Sequence, residues 1–439
     1  MVEILNKAQW FILEPTVFIS IKNNNTLFYN TLNSSILEYS DKQILEIANM
    51  LCSEENLYAI SLSETQLNDI NVRNFINDIR NNFMGDIVPT DISKKKPVQT
   101  MPFLEIRNDI NGILHEIETG DYTDAESLEL LGKDVVSQLN HLDLFITDHS
   151  SVTYKKPNIL SCAYKQFTMN FLECDSSVKN ILNLETIKKI IDDLFISNLS
   201  SINILGGNIF EHPEISEILS FLNKTSYYKN YYCNYEDIIA LKDECLLHKL
   251  ANNLNSLTVN ICRPINKKVV FGLFKELNNL SGLRKLEFQV MIESEDDVAF
   301  FEAIFSETPD INCRYMPFFN GNNRTLFEDG VYLDKEDLIE SAYDEYRIFQ
   351  NMSLNTNYFG KLTINSRGDI YSNVNLDKLG NIINNKFADV IFNEIKSKKA
   401  WRKTRSSVQP CKDCTYNILC PPISNYEYTL NKFNSCKIR

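Results

Sequence analysis

Between residues 141 and 321 the chain repeats one pattern, a short β-prone run followed by a stretch with helical periodicity. The β-prone runs are 142–147, 201–205, 226–232, 257–262, 285–291 and 312–318. Helical spacing lies between them at 185–198, 213–222, 236–253, 269–279 and 296–306. A strand that returns parallel to its predecessor needs a crossover, and a helix supplies it with right-handed sense. The pattern therefore predicts an α/β chain on a parallel sheet. Six units are too few to close the eight-stranded barrel, so the expected architecture is a partial (β/α)6 TIM-like barrel.

The flanks of this repeat read differently, and 439 residues leave room for two to four domains. A net charge of −14 argues against a nucleic-acid role, which shows as a basic face. No apolar run approaches the ~20 residues of a membrane-spanning helix. The start, Met1 to Lys7, lacks the basic and apolar segments of a secretory signal. Seven of the eleven cysteines are scattered singly, which suits a reducing compartment rather than a disulfide framework. The expected location is the cytoplasm.

Four cysteines gather near the C-terminus as Cys411, Cys414, Cys420 and Cys436, a C-x2-C-x5-C-x15-C spacing. A C-x2-C pair lets two thiolates on one loop reach a single centre, and two later cysteines complete a tetrahedral set. Zinc and an iron–sulfur cluster both accept such a set. The five histidines, at 115, 141, 149, 212 and 248, show no metal-ligand spacing. No Ser-His-Asp, H-E-x-x-H or phosphate-loop signature offers another chemistry.

Residues 1–88 form the first expected domain. Three β-prone runs, 9–13, 16–21 and 26–29, precede helical stretches at 34–39, at 41–51 behind Asp41 as N-cap, and at 71–82. Three strands followed by three short helices is a winged-helix pattern, and the acidic balance favours a peptide over nucleic acid as its ligand. The order of elements, with Leu27-Phe28-Tyr29-Asn30-Thr31-Leu32-Asn33 ahead of Ser34-Ser35-Ile36-Leu37, resembles the RiPP recognition element. That module binds the leader of ribosomally synthesised, post-translationally modified peptides. The resemblance implies a leader strand added beside the third strand and against the third helix. Residues 26–30 and 71–82 would form that groove, presenting Leu27, Phe28 and Tyr29, with Arg73 or Arg80 meeting an acidic leader. A small α+β domain that merely packs on its neighbour is the alternative. Residues 89–140 read as a connector, broken at Pro89-Thr90-Asp91 and Lys94-Lys95-Lys96-Pro97, with helical patterning over 123–139 behind Thr123-Asp124-Ala125-Glu126.

Within the expected barrel of 141–321, Ser201-Ile202-Asn203-Ile204-Leu205-Gly206-Gly207-Asn208 leads into Ile209-Phe210-Glu211-His212-Pro213-Glu214-Ile215. It is similar to the second strand of radical S-adenosylmethionine enzymes, where a Gly-Gly-Glu contacts the amino group of the cofactor's methionine. Gly206, Gly207 and Asn208 hold those places, and Asn208 lacks the carboxylate. The C-x3-C-x2-C of that family occurs nowhere in the chain; the first strand is followed only by Cys162 and Cys174. Binding or cleavage of S-adenosylmethionine is not expected.

Residues 322–439 are similar to a SPASM domain, the C-terminal extension of many peptide-modifying radical enzymes. The likeness rests on the hairpin signal 359–371, on Leu379-Gly380-Asn381-Ile382, on a helix over 389–399 with Trp401, and on the cysteine run. It implies two cluster sites. The ligand places of one fall near Asn357, at Asn373 and at Ser424, and none is cysteine. Those of the other are Cys411, Cys414, Cys420 and Cys436, all present. This implies one retained [4Fe–4S] cluster, with Zn2+ second.

The whole pattern, with Cys162-Ala163-Tyr164-Lys165-Gln166-Phe167 and Cys420-Pro421-Pro422-Ile423-Ser424-Asn425-Tyr426-Glu427, resembles the pseudo-radical-SAM/SPASM proteins of Bacteroidetes RiPP maturation systems. The resemblance implies a catalytically reduced protein whose partners are a precursor peptide and a peptide-modifying radical enzyme. A redox or Lewis-acid enzyme working through the C-terminal cluster is the alternative.

Overall fold

The computed structural model describes residues 8–92, 94–102, 136–149, 180–241, 244–251, 255–262, 265–278, 280, 282–307, 312–397 and 399–438. Cys162, Cys174, the stretch 162–167, the Thr123 capping signal and most of the helix expected over 123–139 lie outside the described residues.

The N-terminal unit holds two three-stranded antiparallel sheets. In one, β1 (Gln9–Leu13) runs between β5 (Ala59–Leu62) and β6 (Gly85–Pro89); in the other, β2 (Val17–Lys22), β3 (Asn25–Asn30) and β4 (Ile36–Tyr39) lie in sequence order. The helices are α1 (Lys42–Leu51), α2 (Glu64–Asn68) and α3 (Ile70–Asn81). Asp41 caps α1 as its sequence predicts, accepting from the Gln43 and Ile44 amides.

The helix expected over 34–39 is instead strand β4. Ser34 takes the left-handed conformation at φ 59°, which turns the chain back so that Ile36–Tyr39 pairs with β3. Side chains then alternate between two faces. Leu37 and Tyr39 pack with Phe28, Phe75 and Ile47, while Ile36 joins Phe18, Leu27 and Tyr29 on the opposite face. That second face rests on Leu338, Ile348, Tyr416, Ile418, Leu419 and Cys420 from the C-terminal region. Tyr29 Oη also donates to the Tyr343 carbonyl at 2.8 Å, and Asn23 Nδ2 to the Asp413 carbonyl at 3.1 Å. The sheet is thus sandwiched between its own helices and the cysteine segment.

The central sheet contains β7 (His141–Thr147), β8 (Ser201–Gly206), β9 (Tyr228–Asn234), β10 (Ser256–Ile261), β11 (Lys285–Ile292) and β12 (Cys313–Pro317). All pair in parallel with their sequence neighbours, in the singly wound order of a partial barrel. One face, including Leu142, Leu144, Ile202, Ile204, Val259 and Val290, is buried in the main apolar core. The expected helix 236–253 is two helices, Tyr235–Ile239 and Glu244–Ala251. The acidic stretch 334–352 is likewise two, Lys335–Glu340 and Glu345–Ser353, separated where Ala342 takes φ 44° and Asp344 caps the second.

The hairpin predicted over 359–371 is present as β13 (Lys361–Ile364) and β14 (Asp369–Tyr371), with Gly368 at φ 79° in its turn. With β15 (Gly380–Asn381) it extends the barrel sheet, because β13 pairs in parallel with β7. The sheet therefore crosses the boundary expected at residue 321. Among the described residues no helix is long and apolar enough to cross a membrane.

Candidate functional site

The four C-terminal cysteines sit on short turns rather than on long elements. Cys411 opens the 3-10 turn Cys411–Asp413, Cys414 precedes the turn Thr415–Ile418, and Cys420 abuts Pro421. Cys436 is held by a bridge to Leu333, whose carbonyl accepts from the Lys437 amide at 2.7 Å. Cys411 and Cys420 are buried, Cys414 and Cys436 half-buried.

Burial pushes the thiols of Cys411, Cys414 and Cys420 up. Each also feels the negative potential of neighbouring cysteines: Cys420 that of Cys411, Cys414 and Cys436, and the other two that of Cys436. The four sulfurs thus share one neighbourhood. A single tetrahedral ion with metal–sulfur bonds of about 2.3 Å would set its sulfurs about 3.8 Å apart. Among the described residues no three His, Cys, Asp or Glu side chains close around one ion.

Beneath the thiols lies a buried cation. Arg405 Nε donates to the Pro421 carbonyl at 2.8 Å, Nη1 to Glu427 at 2.5 Å and Phe433 O at 2.9 Å, and Nη2 to Glu427 at 3.0 Å and Pro422 O at 3.3 Å. It therefore ties together the three chain segments that carry the cysteines, and it stands 4.0 Å from Cys411 Sγ. Its charge opposes the burial that keeps Cys411 and Cys420 protonated.

Gly206, Gly207 and Asn208 stand at the end of β8, and their contacts are internal. A Cβ on Gly207 would lie 2.1 Å from the His149 carbonyl oxygen, and one on Gly206 2.5 Å from that of Thr147. The Gly207 and Asn208 amides donate to those carbonyls at 2.8 and 2.7 Å. The Asn208 side chain accepts from the Phe210 amide and donates to Glu211 at 3.2 Å. Close passage of the chain after β7 accounts for both glycines. His149, at the same end, pairs with Glu211 at 3.2 Å.

The residues expected to bind peptide are placed differently from the sequence expectation. β3 is the central strand of its sheet, paired on both edges, so no strand can add beside Leu27, Phe28 and Tyr29 without displacing β4. All three side chains are fully buried. Arg80 pairs with Asp86 on β6, and Arg73 donates to the Asn68 carbonyl at 2.7 Å. The residue that α3 sets beside β4 is acidic: Asp78 accepts from Tyr39 Oη at 2.8 Å. The register slipped because 34–39 read as helix.

The lumen face of the barrel sheet carries a feature that sequence reasoning missed. Parallel strands covered on both faces are normally apolar throughout. Here Thr363, Asp143, Asn203 and Asn230 lie side by side across β13, β7, β8 and β9. A second row runs Asn234, Asn260, Gln289 and Arg314 across β9 to β12. Asp143 accepts from Asn203 at 2.7 Å and meets His141 Nε2 at 3.0 Å. Burial pushes its carboxyl up, but His141, Asn203 and nearby Lys361 outweigh that and hold it below its ordinary value.

A cavity of about 550 Å3 lies over these rows, roofed by the C-terminal region. Asn357, Asn373 and Ser424, the places of the second implied cluster, all line it. The period-two spacing of polar residues in 141–147 and 285–292 was the available signal.

No protein-family model matches this chain, and no curated protein does. Among solved structures, it is similar to Streptococcus suis SuiB bound to its precursor peptide SuiA. The identity is 11% and the TM-score 0.40, over 97% of this chain and 100% of that one. A second structure, SuiB bound to S-adenosylmethionine, matches at 13% identity and TM-score 0.38, over 93% of this chain and 94% of that one.

Proposed function

We propose that this chain is a catalytically degenerate radical-SAM-like protein of ribosomal-peptide maturation, which holds a precursor's leader and assembles with a modifying enzyme. One observation carries the reading, the open edge of β4. The Asn30 amide donates to the Ser35 carbonyl at 3.0 Å. Antiparallel alternation then turns the main-chain groups of Leu37 and Tyr39 toward β3 and those of Ile36 and Glu38 outward. Among the described residues no strand pairs with that outer edge.

An extended peptide gains main-chain hydrogen bonds there and lies alongside α3. Exposed Leu32 and Phe83, each 76% accessible, stand at one end of the edge. Asn30 and Asn33 hold their loops together by donating to the Asn82 and Phe83 carbonyls at 3.0–3.2 Å. This pair offers an apolar leader side chain a seat.

In the same reading Cys411, Cys414, Cys420 and Cys436 hold one [4Fe–4S] cluster, with zinc second. Four thiols that share one neighbourhood are the donor set that either group requires. Bound, it would supply a one-electron centre and a clamp on the C-terminal loops. The chain's lack of C-x3-C-x2-C supports a role without cleavage of S-adenosylmethionine.

The test is binding of fluorescein-labelled peptides that carry the leaders of ribosomal-peptide precursors. A binding leader should protect the Ile36 and Glu38 amides from hydrogen exchange. Ile36→Pro removes an outward N–H and should abolish binding, whereas Ile36→Val should not. Equal binding by the proline variant, or cofactor cleavage by the isolated protein, would overturn the reading. Anaerobic purification should give about four irons and four sulfides per chain, lost in Cys411→Ala/Cys414→Ala. Zinc alone would make the segment a structural clamp.

A further inference from the structure

We infer that the polar cavity over the barrel sheet is a binding site for a carboxylate group. It is separate from the open β4 edge, and the inference does not rest on the cysteine reading.

The argument begins with charge. Arg314 and Lys361 are the two cations that line the cavity. Among the described residues neither side chain makes a hydrogen bond or an ion pair, although both stand near acids. The acids nearby are already served. Asp143 is held by His141, Asn203 and Thr363, at 3.0, 2.7 and 3.4 Å. Glu287 is held by Lys285 and by Gln289 at 3.0 Å. Counting Lys361 against Asp143 and Lys285 against Glu287 leaves Arg314 as one surplus positive charge. A monoanion matches that surplus; a phosphate dianion would exceed it.

Geometry selects the anion further. A free guanidinium offers a planar fork that a carboxylate meets with two parallel hydrogen bonds. Part of the lining is neutral, with Tyr358, Asn373 and Asn425 cross-bonded so that their positions are set: Tyr358 Oη and Asn373 Nδ2 both donate to Asn425 Oδ1, at 2.6 and 2.7 Å. A volume of about 550 Å3 falls within the range of small-ligand sites. The lumen also pays for its polarity: Asn260, 1% exposed and in the Arg314 row, leaves both side-chain polar atoms unpaired. Such a layer is costly in a fold-only role.

The carboxylate can belong to a free small acid or to the C-terminus of a peptide, and three probes separate the sources. Butyrate, N-acetyl-trialanine with a free C-terminus, and the same peptide as its amide are titrated against the full chain by calorimetry. Binding of butyrate alone assigns a free acid. Binding of the peptide acid but not its amide assigns a peptide terminus. In either case Arg314→Gln should weaken binding by about tenfold or more, the loss of a charge-assisted pair, and Arg314→Lys should recover only part. Lys361→Gln, at an independent position, should weaken it as well. Melting curves establish that each variant folds. No binding of either acid, amide binding equal to acid binding, or wild-type affinity in the variants would overturn the inference.

Discussion

Removing the Arg405 guanidinium is the sharpest test of how the cysteine segment is held. Its side chain is 9% exposed, and that of its partner Glu427 only 1%. All five of its N–H groups are used, two on Glu427 and three on the carbonyls of Pro421, Pro422 and Phe433. Arg405→Ala therefore strands a buried carboxylate and three carbonyls at once. Breaking a buried pair by deleting one partner costs about 3–5 kcal/mol, because the remaining charge stays desolvated. Set against a total stability of about 5–15 kcal/mol, that loss should unfold the segment well below the wild-type midpoint.

Removing both charges should hurt less. In Arg405→Met/Glu427→Gln the amide still accepts from the Ser424 amide and hydroxyl, which Glu427 now serves at 2.9 and 3.0 Å. The double variant should recover most of the loss. Trp401 is fully buried in the same region, and Trp10→Phe leaves it the sole tryptophan reporter in urea unfolding. A single-variant cost below about 1 kcal/mol, the level of a surface pair, would refute the reasoning. So would a double variant as unstable as the single.

Other expectations are equally direct. Gly207→Ala should destabilise by about 1–3 kcal/mol, because its Cβ would press on the His149 carbonyl at 2.1 Å. Gly272→Ala, in the helix Lys267–Asn278 with nothing within 4 Å, should stabilise by about 0.5–1 kcal/mol; denaturant midpoints of like sign would contradict both. Burial pushes the Glu236 carboxyl up to about 7 from its ordinary 4.5. Its raised value makes a contribution that is full below pH 4.5 and lost as pH rises through about 7. Glu236→Gln should thus gain stability relative to wild type above pH 7, with no such gap in acid; a pH-independent difference would count against it. Leu32→Ser/Phe83→Ser should weaken leader binding while leaving the melting temperature unchanged, and unchanged anisotropy titrations would remove those residues from the groove.

Strand and helix positions in the barrel were legible because their signals are local. The run expected at 285–291 is the strand Lys285–Ile292, and that at 201–205 is Ser201–Gly206, since alternating apolar residues declare a strand within a few positions. Asp41 declared its helix in the same way, through a side chain that reaches two amides of the next turn. Ile36–Tyr39 was misread because four residues carry too little periodicity to separate strand from helix. Its pairing with β3 settles the matter, and a turn at Ser34 makes that pairing possible.

The sequence by itself determined the alternation, the caps, the hairpin and the spacing of the four cysteines. Each depends on residues a few places apart. Tertiary structure decided what those pieces face. It seated the β2–β4 sheet on the cysteine segment, joined β13 to β7, and gathered Asp143, Arg314 and Lys361 around one cavity. It also moved the open edge from β3 to β4. These outcomes depend on contacts between segments hundreds of residues apart, such as Tyr29 with Tyr343. Apolar burial is non-directional, so composition says that a face will be covered without saying by what.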